Sequence, residues 1–306
     1  MKKAIVTGAT GAIGIALVKV LLEQNIEVLA IVNPASSRIE RLPQHKHLQI
    51  LRHSIHEIAK IEEDTIGNYD AMFHLAWTGT IGPGRDDMHL QLQNVLDTLE
   101  IVELAARTGC TVFVGAGSQA EYGRIEGRIT SSTPANPEMG YGIAKLCTGQ
   151  MSRIECQRYG IRHIWTRILS VYGPYDGEST MIITGIRKML RGECPSFSKG
   201  EQLWDYIYSE DAARAIYLAG EKGRNGAIYP IGSGQAKPLH DYIEIMRRTV
   251  GEQAKAGVGE LPYRAQQVMY LCADIEELTQ DTGFLPKIAF DEGIRNTIKW
   301  CRETQE

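Results

Sequence analysis

Residues 4–22 read AIVTGATGAIGIALVKVLL, and this stretch constrains the fold more than any other. A short apolar run (Ala4, Ile5, Val6) meets three glycines spaced by three, Gly8, Gly11 and Gly14. Apolar residues then recur at helical spacing: Ile13, Ala16, Leu17, Val20 and Leu21. The pattern predicts a strand, a tight loop and a helix. Glycines admit positive φ and let a phosphate approach the backbone, while the helix behind them presents free N–H groups and the positive end of its dipole. A strand before the loop, a helix after it and a second strand from Glu27 supply the setting that such a motif needs. The loop is therefore expected to hold a dinucleotide, with Gly8, Thr10, Gly11, Ala12 and Ile13 as contact residues.

The rest of the composition excludes more than it assigns. The chain has 306 residues, 43% of them hydrophobic, and a formal charge of -4. This is the profile of a globular protein with one large domain or two unequal ones. It shows no basic tract, no internal repeat and no apolar stretch of bilayer-spanning length, so neither nucleic acid nor a membrane is expected as a partner. The apolar segment behind Met1-Lys2-Lys3 is broken at Thr7 and Gly8, which argues against a secretory leader and for a cytoplasmic protein. Six scattered cysteines form no CxxC pair and eight histidines no ligand pattern, so reduced thiols and no metal are expected.

Strand patterns at residues 4–6, 27–32, 48–51, 71–75, 111–114 and 163–168 alternate with helical ones, which predicts an α/β fold with a doubly wound parallel sheet. The clearest helices span 86–107 and 140–158. After Tyr172-Gly173-Pro174 the chain becomes richer in Gly, Pro and charge, with short helical patterns at 181–191, 211–218, 239–250 and 291–301. A division into 1–172 and a smaller mixed domain, 173–306, is expected, with the second over the mouth of the sheet.

Chemistry belongs where strand ends meet the cofactor. Tyr141 and Lys145 are one helical turn apart and share a face. A phenol beside an ammonium and a nicotinamide cation has its anion favoured, so its pKa is expected below the ordinary value of about 10 and it can exchange a proton with an alcohol oxygen. Ser118 follows an apolar run and Gly115-Ala116-Gly117, which places its hydroxyl at a strand's carboxyl end.

TGATGAIG, His74-Leu75-Ala76, SQAEYG from Ser118, Tyr141 with Lys145, VYGP from Val171 and DYIYSED from Asp205 together resemble the extended short-chain dehydrogenase/reductase family, and within it the nucleotide-sugar epimerase/dehydratase branch. The resemblance implies a Rossmann-type domain binding NAD(P), a carboxyl-terminal domain over a nucleoside diphosphate sugar, and a homodimer through the two long helices. It makes Tyr141 the acid/base, Lys145 the group that lowers its pKa and holds the ribose, and Ser118 the holder of the substrate oxygen. Leu75 and Ala76 join the cofactor site, Trp77, Thr78 and Gly79 line the nicotinamide pocket, and His74 is structural.

Departures from the family pattern narrow the activity. Dehydratases of the family carry Asp and Glu where this chain has Gln119 and Ala120, and neither can act as acid or base. Asn33 replaces the carboxylate that NAD-preferring members place after the second strand, and Ser36, Ser37 and Arg38 follow, which favours NADP(H), with NAD(H) as the alternative. Ser170 and Trp204 stand where family members often have the Asn and Arg that hold the diphosphate. That leaves Arg187, Lys188, Lys199 and Arg264 as candidate cations, with Gln119, Ser170 and Trp204 lining the substrate site. The expected activity is reduction of a nucleotide-linked 4-keto sugar. The alternatives are a 4-epimerase holding NAD tightly and a regulator that senses NAD(P) without turnover.

Overall fold

The computed structural model describes residues 1–61, 66–263 and 267–304. Its centre is a parallel sheet of seven strands, here β1 (Lys3–Thr7), β2 (Glu27–Val32), β3 (Leu48–Arg52), β4 (Ala71–His74), β5 (Val112–Ser118), β6 (Arg162–Ile168) and, later in the chain, β9 (Ala227–Ile231). They lie in the order β9-β6-β5-β4-β1-β2-β3. Chain order therefore reverses beside β1, whose neighbours are β2 and β4. In such sheets the crevice for a ligand opens at the carboxyl ends of the strands flanking that reversal. This is the expected Rossmann-type architecture.

Side chains alternate between two cores, as the two-residue strand period dictates. Ala4 and Val6 of β1 join one cluster with helices α1 (Ala12–Glu23) and α5 (Ser209–Lys222). Ile5 joins the other, with α2 (Met88–Arg107) and Cys156 of α3 (Gly140–Arg158). The phosphate loop lies between β1 and α1. Gly8 has φ +71°, and a Cβ there would lie 2.6 Å from the backbone N of Ala76. A Cβ on Gly14 would lie 2.1 Å from the carbonyl oxygen of Gly8, so no side chain fits at either position.

Two boundaries differ from the sequence reading. Helix α2 starts at Met88 rather than 86, because the Asp87 side chain accepts the Leu90 N–H and caps it. More consequentially, the sheet does not end at residue 172. After β7 (Ser170–Tyr172) and β8 (Tyr206–Tyr208), which pair with each other, the chain returns through α5 to add β9 beside β6. The division at 172/173 thus cuts through the sheet layer. Sequence patterning missed β9 because AIYPI contains Pro230, which argues against a central strand and is tolerated at this edge position. Three later helices, α4 (Met181–Leu190), α6 (Leu239–Val250) and α7 (Phe290–Glu303), form their own cluster around Tyr172, Ile183, Ile186, Met246 and Ile294.

No helix among the described residues is long and apolar enough to cross a membrane. Trp165 of β6 is 2% exposed and lies against Gly115, Gly117 and Gly149, where built Cβ atoms would sit 2.3, 2.3 and 2.8 Å from its ring. Its Nε1–H donates to Glu121 at 3.0 Å. Replacing Trp165 with Ala is expected to cost about 3–5 kcal/mol, because the glycines cannot refill the space. Urea unfolding at neutral pH checks this, and a loss below about 1 kcal/mol would show that the ring is not a packing centre.

Candidate active site

Strand β5 ends at Ser118, where a short turn (Gln119–Glu121) begins. The Ser118 hydroxyl accepts the Ala120 N–H at 3.2 Å, and the Glu121 carboxylate accepts the Ser118 N–H at 2.8 Å. Glu121 is wholly buried and also accepts from Arg167 Nε at 2.6 Å. This reciprocal cap fixes the backbone of Ser118. Glu121 went unassigned in the sequence, although Ser-x-x-Glu is a capping-box signature that could have revealed it.

Helix α3 delivers the other two groups. Its first residue, Gly140, donates its N–H to Asp86 Oδ1 at 3.1 Å, which caps the helix from the 79–86 loop. Tyr141 is 8% exposed and lies edge-on to Trp77 at 6.1 Å between ring centroids. Burial pushes its phenol above the ordinary value of 10, while hydrogen bonding with Ser118 and the charge of Arg85 pull the other way. This corrects the expectation that Lys145 lowers it. The Lys145 ammonium instead donates to the carbonyl of Ala116 at 2.5 Å and sits 3.6 Å above the Trp77 ring, 5.9 Å from that of Tyr141. Burial pushes Lys145 itself down to about 7. His74 bonds Thr7 Oγ1 at 2.8 Å and Thr98 Oγ1 at 3.0 Å, and burial holds it near 3, so it is a neutral structural link, as expected.

These groups open on a cavity of about 360 Å³, within the usual range for a small-molecule site. Of the residues expected there, Gly8, Gly11, Ala12, Ile13, Leu75, Trp77, Ser118, Tyr141 and Lys145 line it. The third motif glycine, Gly14, lines it too, and Thr80 and Asp176 join them unforeseen. Asp176 accepts from Gly177 N and Thr180 Oγ1, and burial pushes it up to about 6. Its loop position after VYGP gave no signal.

Other assignments fall outside that lining. Thr10 is half-buried beside the loop, and Ala76 donates its N–H to Thr7 Oγ1 at 3.3 Å. The backbone of Thr78 is clamped by the Asn94 amide at 2.8 and 3.0 Å. Gln119 does not line the cavity. Asn33 folds back to accept Ala35 N–H, and Arg38 is exposed beyond β2. Ser170 and Trp204 bond each other, Nε1–H to Oγ at 2.8 Å, which takes the Ser170 hydroxyl and the indole N–H as mutual partners. Arg187 pairs with Glu178 at 2.9 Å and lies over Trp300, held away from the cavity by that carboxylate. Lys188 lies on α4, Lys199 is exposed, and neither lines the cavity. Arg264 lies outside the described residues.

The loop fits a dinucleotide. Gly11, at the start of α1, has no side chain to occupy the helix's first N–H groups, and the Gly8 turn leaves them facing the cavity that Gly11, Ala12 and Ile13 line. The family model for the NAD dependent epimerase/dehydratase family matches residues 4–232. The chain belongs to this family. It is an enzyme of the extended short-chain dehydrogenase/reductase type. A dTDP-glucose 4,6-dehydratase of Haemophilus influenzae is 24% identical, covering 98% of both chains. A UDP-glucose 4-epimerase of Thermotoga maritima, solved with UDP-glucose, is 25% identical with a TM-score of 0.88, covering 99% of this chain and 100% of that one. MoeE5, solved with UDP-glucuronic acid and NAD, is 25% identical with a TM-score of 0.85, again over 99% and 100%.

The buried lysine of this family member carries a stability signature. A lysine whose folded value is about 7 against an ordinary 10.5 binds fewer protons folded than unfolded between those values. Its burial therefore opposes folding fully below pH 7, and the penalty fades as pH rises towards 10.5. In urea unfolding at pH 7 and pH 9, Lys145→Met is expected to remove part of the parent's gain in stability over that interval. Equal gains in both proteins would show that Lys145 keeps its ordinary acidity.

Proposed function

We propose that this enzyme transfers hydride at one ring carbon of a nucleoside diphosphate sugar, and that it acts as a 4-epimerase using NAD. The observation that carries the reading is that Ser118 and Tyr141 meet at one cavity, while the two positions after Ser118 are Gln119 and Ala120. Loss of water would need a further acid and base there, so the dehydratase chemistry of some relatives is disfavoured. The likeness to a 4-epimerase and to a protein holding UDP-glucuronic acid with NAD supports the sugar class and the cofactor.

When bound, the dinucleotide supplies the group that accepts and returns hydride. Gly8, Gly11, Ala12 and Ile13 would hold its pyrophosphate, and Tyr141, Lys145 and Leu75 its nicotinamide half. Ser118 holds the sugar oxygen by hydrogen bond. Tyr141, in its phenolate form, takes the hydroxyl proton from that oxygen and as the phenol gives it back, so one side chain serves both directions. Lys145, one turn further along α3, is held at the cavity wall by the Ala116 carbonyl. Trp77 lines the pocket with its ring under the Lys145 ammonium.

A second reading, an NADP(H)-dependent 4-keto-sugar reductase, is favoured by the end of β2. Asn33 there spends its side chain on its own turn, and no carboxylate is offered to an adenosine ribose, while Arg38 and Arg41 stand near each other. A homodimer is proposed through α2 and α3, because Leu92, Leu96, Ile143, Met151 and Ile154 are exposed apolar residues at helical spacing on these two packed helices.

Two measurements test these readings. Incubation with UDP-glucose or UDP-glucuronic acid is expected to give the C4 epimer with no net change in NAD. One NADPH consumed per product from a 4-keto sugar would overturn the epimerase in favour of the reductase. Tyr141→Phe should lower the rate by about 10²- to 10⁴-fold in either case while retaining dinucleotide, and a fully active variant would sink both. In sedimentation the parent should be dimeric and the double variant Leu96→Glu, Ile154→Glu monomeric; a monomeric parent rules the interface out.

A further inference from the structure

We propose that Arg85 is a positioning residue for the acid/base step: its guanidinium, fixed on the face of the Tyr141 ring, favours the phenolate and sets how readily that phenol gives and takes a proton. This rests on the reading of Tyr141 as the acid/base. The guanidinium carbon lies 4.4 Å from the centre of the Tyr141 ring. At that distance an opposite charge shifts an acidity by about 1–3 units, towards the low end where solvent reaches the pair.

The cation is not loosely placed. Its Nη1 donates to the Thr80 carbonyl at 3.1 Å, and its Nε and Nη2 lie 3.3 and 3.2 Å from the sulfur of Met139, the residue before α3. The loop that carries it is tied down on both sides. Gln91 donates to the carbonyls of Gly79 and Gly84 at 3.0 and 2.7 Å, and Asp86 accepts the Gly140 N–H that begins the helix of Tyr141. Arg85 and Tyr141 therefore belong to one hydrogen-bonded assembly of the 79–86 loop and the start of α3.

The other groups around Tyr141 leave this role open. From α3, the Lys145 ammonium is farther from the ring, at 5.9 Å, and is engaged by the Ala116 carbonyl and the face of Trp77. From the turn after β5, Ser118 is uncharged and Glu121 opposes the phenolate, though Arg167 neutralises it. From β4 and the loop after it, His74 is neutral and Trp77 is uncharged, its ring perpendicular to that of Tyr141. Asp176, lining the same cavity from the segment before α4, is a carboxyl and cannot favour an anion. Asp86 is engaged with the helix amide. An arginine stays protonated throughout, so among these described residues Arg85 supplies the permanent positive charge.

The test needs a readout that does not depend on turnover. In protein carrying ¹³Cζ-labelled tyrosine, Tyr141→Phe identifies the Tyr141 signal. At pH 10, with the fold followed by circular dichroism, Arg85→Gln is expected to lower the ionised fraction of Tyr141 about tenfold. Arg85→Met, which keeps the stem packed on the ring, should do the same, and Arg85→Lys should largely restore the parent value. In turnover, the limb of the kcat/KM profile that follows Tyr141 should move up by about one pH unit in Arg85→Gln. A Tyr141 signal unmoved in folded Arg85→Gln and Arg85→Met overturns the proposal whatever the activity. A signal that moves in protein that turns over no nucleotide sugar upholds the influence of Arg85 on the phenol and overturns the proposed reaction instead.

Discussion

The site depends on a buried carboxylate. Glu121 accepts from the Ser118 backbone, the Trp165 indole and the Arg167 guanidinium, so one side chain joins the end of β5 to the neighbouring strand β6. Taking both charges of the Glu121–Arg167 pair out of water costs several kcal/mol, and the attraction between them about offsets it; the pair is weak evidence for stability. What it enforces is geometry. Removing either partner leaves an unpaired buried charge, so the turn at Ser118 has one low-energy arrangement. The serine hydroxyl thereby reaches the cavity at a fixed place opposite Tyr141.

Around that fixed point, burial works against charge. Lys145 is lowered, Tyr141 and Asp176 are raised, and His74 is held neutral, each because its charged form loses solvation. A site of this kind holds its protons in nearly neutral groups, from which a small local charge can move them. That makes the position of each neighbouring cation a functional matter rather than a surface detail. It also separates the two residues of the Tyr-Lys pair. Their helical spacing puts them on one face, yet Lys145 is drawn to the Ala116 carbonyl and the Trp77 ring, while the guanidinium over Tyr141 comes from a loop more than fifty residues earlier in the chain.

Ser170 and Trp204 show how departures from a family pattern can be coupled. They stand 34 residues apart in the chain, and the fold brings them to one hydrogen bond at 2.8 Å. Trp204 also packs against the cluster of Tyr122, Ile129, Leu169 and Leu271. The indole thus closes the floor between the sheet end and the later elements. Arg187, on the other side of α4, is tied to Glu178 and Trp300 and takes no part in this floor.

The local patterns were legible because they are set by near neighbours in the chain. The Gly8-Gly11-Gly14 spacing, the alternation of strands with helices, and Tyr141 four residues before Lys145 all follow from backbone geometry over a few residues. They determined the sheet, the dinucleotide loop and the pair of groups on α3. The edge strand with Pro230 was hidden, because only its neighbour β6 makes a strand of it. Glu121 with Arg167, Arg85 over Tyr141, and Trp204 with Ser170 were hidden for a related reason. Each joins residues whose meeting depends on how the layers pack, and burial then decides which of them keep their charge. The sequence determined the framework and the reacting groups; the tertiary structure decided their electrostatic surroundings, because charge interactions depend on distance and solvent access, neither of which is written in local order.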